Sequence, residues 1–212
     1  MWIGIVAVKF FGAYNEIFLG HPPLDNQMET VFGLHFTQKL FLVAFVALAL
    51  GFCFHVLKEH FGKRFCLIFA FLLTLEPLYY AMTRVFHLEG LMTTLMLASF
   101  LWYYHFLQDP KKFRLILSAL FGSLAVLTKT TAIYMIPFIG LLTLLETILG
   151  NNSKKSVLAF FTPILQWVLC FVFFFVAFWP AMWVAPTKAL KELYEGASLV
   201  GIEGGHEQIY FG

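Results

Sequence analysis

The sequence predicts an all-α integral membrane protein, a polytopic bundle of about six spans with short surface helices on its outer face. Three observations carry that expectation. Of the 212 residues, 60% are apolar and only 12% charged, whereas a soluble domain has about 45–50% and 25%. Mean hydropathy is +0.82, and phenylalanine alone occurs 27 times. Apolar runs near spanning length also recur along the chain, and a hydrocarbon core needs roughly 17–25 such residues per helix.

Runs at 40–57, 66–82, 91–107, 131–149 and 157–179 meet or approach that length. The run at 115–127 is shorter, so it either extends through Lys129 or stops before the far surface. Brief connections separate the runs, at 58–65, 83–90, 108–114 and 150–156. With no internal repeat or second domain visible, 1–212 reads as one transmembrane domain. Residues 1–39 form an outer-face segment, 40–183 the bundle, and 184–212 the start of an outer loop.

Lys and Arg in short loops set orientation, because cytoplasmic loops are enriched in them. Lys58, Lys63 and Arg64 share one loop, Lys111, Lys112 and Arg114 a second, Lys154 and Lys155 a third. Six spans put all three on one face, the cytoplasmic one. The opposite face receives the first forty residues, 83–90, 128–131 and the tail after Trp183. Asn151-Asn152-Ser153 has the form of a glycosylation acceptor, but this topology makes it cytoplasmic and silent. In the tail, Ala189, Leu190, Leu193 and Tyr194 are apolar at helical spacing, with Lys188, Lys191, Glu192 and Glu195 between them. That pattern predicts a helix lying on the outer membrane surface.

A formal net charge of +2 is too small to suggest nucleic acid as a partner. Cys53, Cys66 and Cys170 lie far apart in apolar stretches, as core residues do, without the spacing of a disulfide framework or metal site. Residues 1–11 are not expected to act as a signal peptide, since no basic region precedes them and Lys9 lies inside. No Walker-type Gly-Lys-Ser/Thr run and no Gly-x-Gly-x-x-Gly occurs. No cofactor is therefore evident, and a divalent metal stays open. If the chain is an enzyme, its activated substrate arrives through the membrane rather than as a soluble nucleotide.

Nine of the twelve carboxylates fall on or near the outer side: Glu16, Asp25, Glu29, Glu76, Glu89, Glu192, Glu195, Glu203 and Glu207. The densest polar cluster is Thr83-Arg84-Val85-Phe86-His87-Leu88-Glu89-Gly90. Charges this close to hydrocarbon persist when they pair or face a wet cavity. The Arg84 fork suits phosphate, and Glu89 could orient or deprotonate an acceptor. An Arg84–Glu89 ion pair tying off a helix end accounts for the same residues. Glu76-Pro77 lies one to two turns inside the outer end of its span, where Pro77 bends the helix and Glu76 needs a partner. Glu76 reads as structural support, and Tyr79 and Tyr80 as part of an aromatic belt. Lys129 interrupts an otherwise apolar hairpin and must reach water, a carboxylate or a bound phosphate; snorkelling to the surface is the plain alternative. His55 and His105, in the last turns of their spans, read as packed or interfacial. The stretch Gly204-Gly205-His206-Glu207-Gln208-Ile209-Tyr210-Phe211-Gly212 alone could be any surface loop.

Several segments, in order, resemble one family. Leu75-Glu76-Pro77 followed by 83–90 resembles the loop after the third full span in membrane glycosyltransferases of family 39. These include the dolichyl-phosphate-mannose–protein mannosyltransferases and the bacterial lipid A aminoarabinose transferases. Their bacterial and archaeal branch usually shows Ser-Arg-Val, then His, then Asp. Leu127-Thr128-Lys129 leading into Pro137 is similar as well, followed by Trp179-Pro180-Ala181-Met182-Trp183-Val184-Ala185-Pro186 and Gly205-His206-Glu207 with Tyr210-Phe211-Gly212. No piece is specific alone; the resemblance lies in their order and spacing.

The resemblance implies a GT-C-type bundle that takes a sugar from a polyprenyl-phosphate donor. The sugar passes to a protein or lipid acceptor on the extracytoplasmic face, by direct inversion. Carried over by position, Arg84 and Lys129 become phosphate contacts, Glu89 a second-loop acid, and His87, His206 and Glu207 substrate-pocket residues. A prokaryotic plasma membrane is expected ahead of the endoplasmic reticulum. Position 89 is Glu where the pattern usually has Asp. Met1-Trp2-Ile3-Gly4 looks like a stretch that follows a Gly-His-Pro motif in the first outer loop. On that alignment the chain is a fragment, inactive alone, without the first span and the principal first-loop acid. A competing alignment makes Glu16 that acid, with Gly20-His21-Pro22-Pro23 as the motif after it. Two other classes compete: a transporter using Glu76, Glu89 and Lys129 as a polar path, and a noncatalytic membrane subunit. Transporters often carry internal repeats and midplane polar groups, and neither is seen here.

Overall fold

The computed structural model describes residues 2–20, 28–84, 88–149 and 157–202. Its regular structure is helical throughout, with no strand among the described residues. The chain divides into two compact units, Met1–Trp102 and Tyr103–Gly212.

The first unit contains α1 (Trp2–Tyr14), a π-helical turn (Asn15–Leu19), α2 (Met28–Leu75), α3 (Pro77–Arg84) and most of α4 (Leu88–Gln108). Helix α1 lies along α2. The Phe10 and Phe41 rings meet edge-on at 5.4 Å, and Gly33 makes room for the Phe11 ring, whose Cε2 would stand 2.9 Å from a Cβ there. Helix α2 has 48 residues, about 70 Å at 1.5 Å per residue and more than twice a hydrocarbon core. It is not straight. Gly62, at φ 80° and ψ 164°, occupies a backbone region essentially open only to glycine. Cys66 Sγ lies 3.9 Å from the Phe54 carbonyl oxygen, although twelve residues of straight helix would separate them by about 18 Å. The chain therefore reverses at Gly62. Its arms, 28–61 and 63–75, pack antiparallel around a shallow apolar crevice lined by Leu50, Phe54, Leu57, Phe69 and Leu73. Lys58, Lys63 and Arg64 stand exposed at the reversal. His55 pairs with Glu59 at 3.3 Å and stacks on Trp102 at 6.0 Å.

The second unit contains the end of α4, α5 (Lys112–Thr128), a 3-10 turn (Thr130–Tyr134), α6 (Met135–Leu149), α7 (Val157–Phe178), α8 (Ala181–Val184) and α9 (Pro186–Ile202). Helices α5 and α7 pack closely because α5 buries small residues: Ser118, Ala119, Gly122, Ser123 and Ala125. Small residues four apart let helix backbones approach in a membrane. Into that face goes Trp167, whose indole N–H donates to Ser118 Oγ at 2.9 Å. Tyr103 and Thr143 hydroxyls meet at 2.7 Å and tie α4 to α6. Gln108 Nε2 donates to Glu146 at 2.9 Å beside them. At the α4–α5 turn, the Arg114 guanidinium reaches the Asp109 carboxylate at 2.7 Å. It also donates to the Asp109 and His105 carbonyls at 3.0 and 3.4 Å, adding to the backbone hydrogen bonds that these carbonyls accept from Lys111 and Asp109. The Lys111 hydrogen bond and the nearby Arg114 charge hold the Asp109 carboxyl below its usual range.

The structure bears out the expected helical membrane protein, and it resolves the spans more coarsely than the six expected. Among the described residues, three helical stretches are long and apolar enough to cross a membrane: Thr30–Leu75, Thr130–Leu149 and Phe160–Phe178. The pair Pro77–Thr83 and Leu88–Gln108, bent by 114°, makes a fourth if it counts as one span. The runs at 40–57 and 66–82 share one helical stretch that doubles back, and the second of them breaks at Glu76. Helix α5 is 17 residues long, and its first turn carries Lys112 and Arg114. Helix α4 buries Thr94, Ser99, Tyr103 and His105. Surfaces buried in protein do not need the uniform apolarity that lipid demands.

Candidate functional site

The described ends of the polar cluster, Thr83 with the Arg84 backbone on α3 and 88–90 on α4, flank an elbow of 114° within the first unit. Its entry is set by Glu76-Pro77. Glu76 sits between α2 and α3, and its carbonyl accepts the Tyr80 N–H at 2.9 Å. Its carboxylate accepts the Tyr79 N–H. This is an N-cap: the side chain satisfies one of the orphan donors of the first turn. Pro77 at the first helical position has no N–H that would need a partner. The exposed Glu76 side chain thus ends one helix and starts the next.

Two contacts fold α3 onto α4. The Thr94 hydroxyl donates to the Gly90 carbonyl at 2.7 Å, so its oxygen is left to accept the Tyr79 hydroxyl at 2.6 Å. Gly90 meets Thr83 with no room to spare. A Cβ at 90 would stand 2.8 Å from Thr83 Cγ2 and 3.2 Å from Thr83 N. The Thr83 hydroxyl in turn donates to the Tyr79 and Tyr80 carbonyls, each at 3.0 Å.

Glu89 is thereby held in the first turn of α4, half-buried, where the positive end of the helix dipole favours an anion. Its carbonyl accepts the Thr93 hydroxyl at 2.8 Å. Arg84 closes α3; its side chain and all of His87 lie outside the described residues. The elbow brings Glu76, the Arg84 backbone and Glu89 onto two short stretches of helix joined at a sharp angle.

Lys129 is placed within the second unit. It ends α5 in extended conformation (φ −151°, ψ 128°), its N–H bonded to the Ala125 carbonyl at 3.0 Å. The Ala132 N–H returns to the Lys129 carbonyl at 3.0 Å, so the lysine is the hinge between α5 and the 3-10 turn. It is half-buried, and a cation there suits the negative end of α5.

Glu16 is exposed on the π-helical turn, which ends at Gly20 in the left-handed conformation (φ 72°). Asn15 beside it is buried and donates to the Phe11 carbonyl at 2.7 Å. Single π turns recur at functional sites. His21-Pro22-Pro23, His206 and Glu207 lie outside the described residues. Among the described residues, no three His, Cys, Asp or Glu side chains gather as a metal site. His105 is buried. Sequence reasoning missed Tyr79, Thr83 and Thr94 as the braces of the elbow. The available signal was Tyr79/Thr83 and Gly90/Thr94, two pairs at helical spacing on either side of the charged cluster.

A family model described as dolichyl-phosphate-mannose-protein mannosyltransferase matches residues 28–183, well over half of the chain. The matched stretch contains Glu76, Arg84, His87, Glu89 and Lys129, and leaves out Glu16, His206 and Glu207. No curated protein and no solved structure matches. A helical, apolar architecture among the described residues and a match running from the start of α2 into α8 agree, and the chain belongs to the dolichyl-phosphate-mannose-protein mannosyltransferase family.

Proposed function

We propose that this protein transfers a sugar from a polyprenyl-phosphate carrier to a protein or lipid acceptor on the extracytoplasmic face of a prokaryotic plasma membrane. The carrying observation is the family match over 28–183. The family implies glycosyltransferase activity, a polyprenyl-phosphate-linked sugar donor and a protein acceptor. Beyond that, the geometry of the elbow supports a role for Glu89 at the acceptor. As the acceptor hydroxyl attacks the anomeric carbon, the bond from that carbon to the phosphate oxygen breaks, and the hydroxyl proton passes to the Glu89 carboxylate. Arg84, ending α3 one elbow away, stabilises the negative charge that develops on the departing polyprenyl phosphate. His87, His206 and Glu207 are proposed to line the substrate pocket, and Glu76 to hold the elbow's shape. Lys129 is a candidate phosphate contact to be tested by itself.

The test uses membranes carrying the protein as its organism makes it, supplied with labelled polyprenyl-phosphate sugars. Incorporation into an acceptor is expected, with kcat falling at least about 100-fold in Glu89→Gln, the lower range for loss of a general base. Arg84→Ala should raise the donor KM while the protein still inserts. No transfer from any such donor, with uptake of a solute by the same protein in vesicles, would sink the reading in favour of a transporter.

A further inference from the structure

The chain after α7 has a surface that the transferase reading does not use. Helix α7 carries a stretch long and apolar enough to cross a membrane, Phe160–Phe178, and α9 begins at Pro186, only eight residues after it ends. Pro180 has no N–H to give the Val176 carbonyl four residues back. The Trp183 indole N–H takes that place, donating to Val176 at 2.8 Å. The ring's one polar atom is thus satisfied at the helix end, while 61% of Trp183 remains exposed. What it exposes is apolar.

Helix α9 continues the pattern. Ala189, 6% exposed, is its buried edge, where α9 packs on α8 and on the Thr130–Tyr134 turn. Leu190 and Tyr194, four apart on one side, are exposed, Tyr194 at 74%. The far side carries Lys188–Glu192 and Lys191–Glu195, both i,i+4 pairs, at 3.9 and 3.6 Å. These four charges sum to zero and neutralise one another. On the neighbouring turn, at the start of the crossing stretch Thr130–Leu149, Ile133 and Tyr134 are exposed as well. Trp and Tyr clustered where spans begin and end are the marks of the membrane–water interface.

We infer that α8 and α9 lie in the interfacial layer of the bilayer, with Trp183, Leu190 and Tyr194 in the headgroup–acyl boundary and the two ion pairs in water. Attachment comes from apolar burial and not from anionic lipid, since the helix offers no net charge to attract it. Because α9 packs on the turn that follows Lys129, this seat also fixes the depth of that turn. The inference stands independently of the proposed transfer reaction.

The test uses the full chain in nanodiscs of zwitterionic phosphatidylcholine, which leave both faces open to reagents. A fluorophore is attached at Leu190→Cys or Lys191→Cys in a Cys170→Ala background, Cys53 and Cys66 being buried. Brominated acyl chains should quench the probe at 190 severalfold more than that at 191. That difference should survive about 1 M salt, where the Debye length is about 3 Å, and should not grow when anionic lipid is added. Equal quenching at the two positions, or loss of the difference in salt, overturns the proposal. The wild-type protein supplies a second measurement that needs no variant. A water-soluble iodinating reagent should iodinate Tyr194 far more slowly in the nanodisc than after unfolding in denaturant. An amine reagent should modify Lys188 and Lys191 in both. Since Tyr194 is 74% exposed in the protein itself, rapid iodination in the intact nanodisc overturns the proposal.

Discussion

Ser118 and Trp167 are 49 residues apart, and the hydrogen bond between them is fully buried. Ser118→Ala would leave an indole N–H in the interior without an acceptor, at a cost of about 1–3 kcal/mol. Adding Trp167→Phe should recover part of that loss, because the stranded donor goes with it. Thermal unfolding in detergent checks both; a double variant no more stable than Ser118→Ala would show that packing of the indole, not its N–H, matters there. Such a pair is invisible in sequence, where Ser118 is one of several small residues and Trp167 one of many aromatics. Glu76-Pro77 is the opposite case. A carboxylate followed by proline is a local helix-start signal, and both its need for a partner and the bend were legible before the structure. Tyr79 and Thr94 fell between: their spacing was visible, but their meeting depends on a bend of 114° that no local pattern encodes.

At the scale of elements, the apolar runs and the cationic connection at 58–65 were legible, because lipid imposes length and charge rules on every span. The form of the connection was not. In place of a loop, helix continues to both sides of one residue, Gly62, whose backbone angles exclude side chains. Gly62→Ala should therefore destabilise the hairpin by about 1–3 kcal/mol, although nothing lies within 4 Å of a Cβ there. Cross-linking between cysteines placed on the two arms, at Phe54 and Leu73, should fall with it. Unchanged stability and cross-linking would mean that the reversal tolerates a residue other than glycine. Helix α4 is less uniformly apolar than α6 or α7: its buried hydroxyls and His105 lie where protein, not lipid, covers it.

For the whole molecule, membership of the family was readable only because weak motifs recur in one order over most of the chain. The family match ends at residue 183, so the α9 segment had to be read from its own pattern. Sidedness is expected to follow from charge. In the second unit, the α4–α5 turn carries Lys111, Lys112 and Arg114, whereas α9 carries no net charge. An impermeant thiol reagent on sealed, oriented vesicles should reach Lys111→Cys from one side and Lys188→Cys from the other. Labelling of both from one side would overturn the charge-based orientation. The reversal at Gly62 has a consequence for biogenesis. With a single residue between the arms, the two helices can insert together as one hairpin, and the charges of Lys58, Lys63 and Arg64 at its bend are expected to hold that bend on the side of the membrane where cationic loops collect.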